Sequence, residues 1–239
     1  MQTMVQAGLA AAILIFILFA LLWIREVRKI SKDKLTTGTK FNAAGFGLLP
    51  GLAAWKIFEP YFGLRMTPGR KLFDPLSPIP HLTRGDYFAP DRIELLAILL
   101  AFTAVVIWLV IRRQPLPGNG DLFLNVICMW SAIRIITETL REHPVRLGED
   151  GVSVFMLGAV AAEIVAMAIW TARRGQKQKN IAMTLFEWLA ILACYVISIL
   201  QDIGVLTMGS HIADLVVTGG CSVMSAALIM SAGKDSREA

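Results

Sequence analysis

Cysteine and histidine are nearly missing from this chain, with three of each in 239 residues. Cys128, Cys194 and Cys221 all lie inside apolar segments and lack the spacing of zinc ligands or of a disulfide framework. They read as small buried hydrophobes, and neither a metal nor a cofactor is expected. Charge is also sparse, at 17% of residues, and no hydrophilic stretch is long enough for a sizeable soluble domain. The sequence holds no P-loop, dinucleotide fingerprint, HExxH or GxSxG motif, which removes the usual nucleotide, zinc-protease and serine-hydrolase chemistries. It has no internal repeat and no low-complexity tract. Nor does polarity alternate residue by residue, as the strands of a membrane barrel require.

What the chain has is apolar length. It is 56% hydrophobic, with a mean hydropathy of +0.62. Uncharged apolar runs recur from end to end, each near the ~20 residues a helix needs to cross a bilayer. The predicted spans are roughly 6–24, 42–59, 93–111, 121–140, 152–170, 182–203 and 209–231. The expected fold is therefore all-α, a polytopic membrane helix bundle of about seven transmembrane helices, because only helices and closed barrels satisfy the backbone in lipid. The first run has no basic residue before it and a basic cluster after it, so it reads as a retained helix and not a secretion signal.

Lys and Arg set the expected orientation. Arg25, Arg28, Lys29, Lys32, Lys34, Lys40, Arg112, Arg113, Arg173, Arg174, Lys177, Lys179, Lys234 and Arg237 fall on one side, fourteen in all. The other side has seven: Arg65, Arg70, Lys71, Arg84, Arg92, Arg141 and Arg146. The richer side faces the cytoplasm, which places the N-terminus outside and the C-terminus inside. The net charge of +5 marks membrane orientation and anionic headgroups, and no nucleic-acid partner is expected.

Two segments break the pattern. The second span contains Pro50, which removes a backbone hydrogen bond and predicts a kink or a broken helix. Gly47 and Gly51 in the same span form a GxxxG spacing that permits close helix approach. The outer loop, about 60–92, has six of the ten prolines and the aromatics Tyr61, Phe62, Phe73, Tyr87 and Phe88. It reads either as a cap over a lipid-facing site or as an ordinary interfacial loop.

Charges inside a membrane are costly and usually face a partner. Trp130, Arg134, Glu138 and Arg141 follow at spacings of 4, 4 and 3, which puts all of them on one face of the fourth span. Two arginines flanking one carboxylate leave that face positive, and the guanidinium fork suits a phosphate. The competing reading is an ion pair that satisfies itself. Glu163, deep in the fifth span, needs a partner, for which Arg134 is a candidate. Glu187 lies near the cytoplasmic end of the sixth span, within reach of the interface. Asp202, His211 and Asp214 bracket the last outer turn.

The run GDLFLNVICMWSAIRIITETLREHPVRLGEDGVSVFMLG, Gly120 to Gly158, resembles the C-terminal part of prolipoprotein diacylglyceryl transferase. That bacterial family moves diacylglyceryl from phosphatidylglycerol to a lipobox cysteine. Trp130 stands at the family's Tyr, and Arg134, Glu138 and Arg141 fit its charged positions in register. GLLPGLAAWKIFEPYFG, the Pro-rich loop and APDRIELLAILL follow the family's order of elements. The departures are PGLAAWKIFE in place of GRxGNFxNGE, Ala89 in place of a His, and no HGG segment.

The resemblance implies a protein of the bacterial cytoplasmic (inner) membrane that binds phospholipid headgroups at its outer face. Trp130, Arg134 and Arg141 would hold the lipid, Glu138 would orient Arg134, and acid–base work would fall to Glu59 or His81. Residues 1–239 form a single integral membrane domain in this reading, a transferase-like core over 1–175 followed by two further spans over 176–239. The alternative is a non-catalytic scaffold that keeps the fold and meets other membrane proteins through those two spans. A small transporter is disfavoured, because no pair of broken helices occupies corresponding halves of a repeat.

Overall fold

A computed structural model describes residues 2–28, 36–58, 83–84, 87–111, 119–141, 144–148, 151–174, 181–207 and 211–238. The helices are α1 (Gln2–Arg28), α2 (Thr37–Phe58), α3 (Pro90–Ile111), α4 (Asp121–Thr139), α5 (Val154–Arg174), α6 (Ile181–Asp202) and α7 (His211–Glu238). Among the described residues, the only strands are β1 (Thr83–Arg84) and β2 (Tyr87–Phe88), an antiparallel pair just before α3.

Five of the helices, α3 to α7, contain segments long and apolar enough to cross a membrane. The distribution of side chains agrees with a lipid surround. Leu100, Ile107, Ile111, Phe186 and Leu189 are exposed, whereas Glu94, Arg134, Glu138, Glu163 and Ser225 are buried. In water the hydrophobic effect favours the reverse arrangement. The protein is a multi-pass helical membrane protein.

The helices begin and end where local chemistry dictates. Pro90 opens α3, at a position where its missing N–H costs nothing, and Ala89 O accepts from Ile93 N at 3.1 Å. Gly120, at φ +81°, turns the chain into α4, and Asn119 Oδ1 accepts from Asp121 N at 3.2 Å. Ser153 caps α5, with Met156 N donating to its Oγ at 3.4 Å. Between α4 and α5, Arg146 and Ser153 form an antiparallel bridge closed by Val154 N to Val145 O at 2.8 Å.

The chain divides into two compact units. The first comprises Met1–Met66 and Leu95–Val126. Its core is aromatic, with Phe46 packed against Phe19, Trp23 and Phe102. Here α2 approaches the first turns of α4 closely: a Cβ on Gly45 would stand 2.5 Å from Phe123 Cα. Asn42 Oδ1 accepts from Leu122 N at 3.0 Å in the same contact. The tight approach is thus at Gly45 and not at the GxxxG pair. Among the described residues, a Cβ on Gly47 would meet only the Phe19 ring, at 3.4 Å, and one on Gly51 would have nothing within 4 Å. Helix α2 continues through Pro50 without a break, contrary to the broken-helix alternative.

The second unit comprises Thr67–Glu94 and Ile127–Ala239. In it α7 packs against both α5 and α6. Large fully buried side chains include Ile135, Met156, Met167, Trp170, Ile191 and Ile229. Most of the proline-rich segment 60–92 lies outside the described residues.

Candidate functional site

Alternating helix direction brings the start of α3, the end of α4, the start of α5 and the end of α6 together within the second unit. The sequence places a charged or hydroxyl group at each. Asp91 sits on the first turn of α3, where an acid suits the helix N-terminus, and Glu94 follows three residues later. Arg134, Glu138 and Arg141 lie toward the end of α4, Ser153 caps α5, and Asp202 ends α6.

These groups form one buried network. Arg134 Nη1 donates to both Glu94 oxygens, Oε1 at 3.0 Å and Oε2 at 2.9 Å. Its Nη2 pairs with Glu138 Oε2 at 3.1 Å. Arg141 Nη2 donates to Asp91 Oδ1 at 3.0 Å and to Glu94 Oε2 at 3.4 Å, and its Nε lies 3.3 Å from Glu138 Oε2. Ser153 Oγ donates to Glu138 Oε1 at 2.7 Å, and Ser153 N donates to Asp202 Oδ2 at 2.8 Å. Arg146 extends the chain, donating to Asp202 O at 2.9 Å and Gly151 O at 2.8 Å. The Phe155 ring supports Arg134, its centroid 4.4 Å from Cζ.

Arg134 and Glu138 therefore share a buried face of α4, and Arg141, two residues past the helix end, joins them through Glu138. Two expectations change. The face is not left positive, because Asp91 and Glu94 meet the arginines and give three carboxylates against two guanidiniums. Nor is Arg134 the partner of Glu163, whose Oε2 accepts instead from Tyr195 Oη at 2.5 Å and Ser225 Oγ at 2.9 Å. Trp130 is half-buried and takes no part in the polar contacts among the described residues. Glu187 is buried, and so is Asp202, which is tied to Ser153 and Arg146. Glu59 and His81 lie outside the described residues.

No family model, curated protein or solved structure matches the chain. The site is accordingly read from its own chemistry.

Sequence reasoning missed Asp91, Glu94 and Ser153. A signal for the acids was present: Asp91 and Glu94 are three residues apart near the start of a Pro-started helix, so they share a face. Ser153 carries the ordinary mark of an N-cap, a hydroxyl residue immediately before an apolar helical run. Which side chains α3 meets across the bundle is a tertiary fact that no local pattern encodes.

Chemically, the network holds two planar guanidinium forks side by side and fixed. Each is buried to about nine-tenths, at a side-chain exposure of 9%. Such an arrangement can clamp helices together, or it can present oriented donors to a phosphate that enters between them. Among the described residues no group of three His, Cys, Asp or Glu is placed to hold a metal ion.

Proposed function

We propose that this is a seven-span protein of the bacterial cytoplasmic membrane, N-terminus outside and C-terminus inside, similar to prolipoprotein diacylglyceryl transferase in the order of its elements. In this reading the end of α4 engages a phospholipid headgroup of phosphatidylglycerol type at the outer face. Trp130, Arg134 and Arg141 bind it, and Glu138 positions Arg134. One observation carries the reading: the Arg134 guanidinium on a membrane-spanning helix and that of Arg141, two residues past the helix end, are both held by Glu94, Asp91 and Glu138. Transfer of a lipid group is an extension of the same reading and rests on Glu59 and His81.

One observation favours a second reading. Three carboxylates already meet the two guanidiniums, so a phosphate has to displace one of them. A fully compensated network serves equally as the clamp of a non-catalytic scaffold or complex subunit that meets other membrane proteins through α6 and α7.

Native mass spectrometry of gently solubilised protein separates the two, with wild type beside Arg134→Lys. Lysine keeps the charge that compensates Glu94 and Glu138 but lacks the planar fork. Phosphatidylglycerol retained by wild type and lost from the variant is the expected result. Equal retention by both, or none by either, rejects the headgroup site and leaves the scaffold.

A further inference from the structure

Outside that network, the most unusual group in the second unit is Glu163. It lies nine residues after Val154, the first residue of α5. At 1.5 Å per residue this is about 14 Å along the helix, close to half of a hydrocarbon core about 30 Å thick. Its exposure is 0%. An aliphatic side chain would fill this position without the cost of desolvating a carboxyl, and an ionisable group at such depth ordinarily marks a functional site.

The surroundings narrow the function. Oε2 accepts from Tyr195 Oη on α6 and Ser225 Oγ on α7, whereas Oε1 has no hydrogen-bond partner among the described residues. The titratable groups facing Glu163 are Cys128 from α4 and Cys194 and Tyr195 from α6, with Cys221 of α7 behind Cys194. Among the described residues no Lys, Arg or His forms an ion pair with it. All of its neighbours are neutral when protonated, so none supplies a compensating positive charge.

Hydroxyl and amide groups continue from Glu163 along the seam between α6 and α7. Ser222 Oγ donates to Thr218 O at 2.8 Å and Ser225 Oγ lies 3.0 Å from Ser222 O. Thr218 Oγ1 donates to Gln201 Oε1, and Ser198 is buried on the same side of α6. The seam ends beside Asp202, at the charged ends of α4 and α5.

We propose that Glu163 is a proton-binding site near the middle of the membrane, with Oε1 as the atom that takes and releases the proton. The proton adds to the oxygen that lacks a donor, while Tyr195 and Ser225 keep their own protons and hold Oε2. The carboxyl becomes neutral on binding and needs no counter-ion. The seam supplies polar groups through an otherwise apolar layer.

The test is modification by dicyclohexylcarbodiimide, an apolar reagent that adds to protonated carboxyls from within the lipid. Full-length protein in lipid nanodiscs is treated at fixed pH values, and the adduct is located by peptide mass spectrometry. Labelling of the peptide containing residue 163 is expected to fall about tenfold per pH unit above a single midpoint, as a lone carboxyl titrates. Glu163→Gln, which keeps acceptors for Tyr195 and Ser225, should abolish that adduct. The same extent of labelling from about pH 5 to about pH 9, no labelling at any pH, or an adduct that survives in Glu163→Gln overturns the proposal. The wild-type profile decides the matter even if the variant does not fold.

Discussion

Replacing Arg134 with methionine tests whether the charge network holds the second unit together. The substitution removes the partner of two carboxylates whose side chains are only 3% and 0% exposed, Glu94 and Glu138. Arg141 still meets both, but Glu94 loses its contacts to Arg134 at 2.9 and 3.0 Å, and the one to Arg141 is longer, at 3.4 Å. Removing one member of a buried pair costs about 3–5 kcal/mol, because a charge is left without compensation. On the scale of globular domains of this size, at about 2–4 °C per kcal/mol, that is a fall of roughly 6–20 °C in the unfolding midpoint. The assay is thermal unfolding in detergent, followed by tryptophan fluorescence at a fixed scan rate. A second variant, Arg134→Met with Glu94→Leu, removes charge from both sides and should regain at least half of the loss, since apolar replacement of a whole buried pair is often neutral. An unchanged midpoint in the single variant would refute the reasoning. So would a double variant no better than the single.

Other outcomes follow from the same geometry. Ser153→Ala removes both the α5 cap and the donor to Glu138 Oε1, and should cost about 1–3 kcal/mol in the same unfolding assay. Gly45→Val drives side-chain atoms against the Phe123 backbone, where even a Cβ stands only 2.5 Å from Cα, and should destabilise by about 1–3 kcal/mol or more. Asn42→Leu leaves the Leu122 N–H without its acceptor inside the first unit, a loss of about 1–3 kcal/mol. For orientation, single cysteines at Lys32 and Lys177 in a cysteine-free background should resist a membrane-impermeant maleimide added to intact cells and react after permeabilisation. Reaction before permeabilisation inverts the assigned topology.

How much of this was legible in the sequence depended on distance along the chain. Helix positions followed from apolar runs, because a helix that satisfies its own backbone in lipid needs only local sequence. The shared face of Arg134 and Glu138 followed from spacing for the same reason. The acids opposite them did not: Asp91 and Glu94 lie 50 and 40 residues away from the arginines they meet. Glu163 shows the same limit, since its depth was evident but its partners stand on α6 and α7. The GxxxG spacing permits close approach without locating it, because approach depends on what faces a glycine and not on the interval between two. At Gly45 a backbone faces it; at Gly51, among the described residues, nothing does.

Ser153 has a bearing on the order in which the chain can be assembled during synthesis. Its contact with Glu138 spans 15 residues, so it can close as soon as the α4–α5 hairpin has emerged, while its contact with Asp202 spans 49 and waits for α6. At that stage Arg134 and Arg141 can already meet Asp91, Glu94 and Glu138, whereas the carboxylate that pairs with Arg146 has yet to be made. The carboxylate of Asp202 arrives last and docks onto Arg146 and the Ser153 amide, both already held in the loop before α5. The arrival of α6 thus supplies the carboxylate for Arg146 and closes the α4–α5 hairpin from its open side.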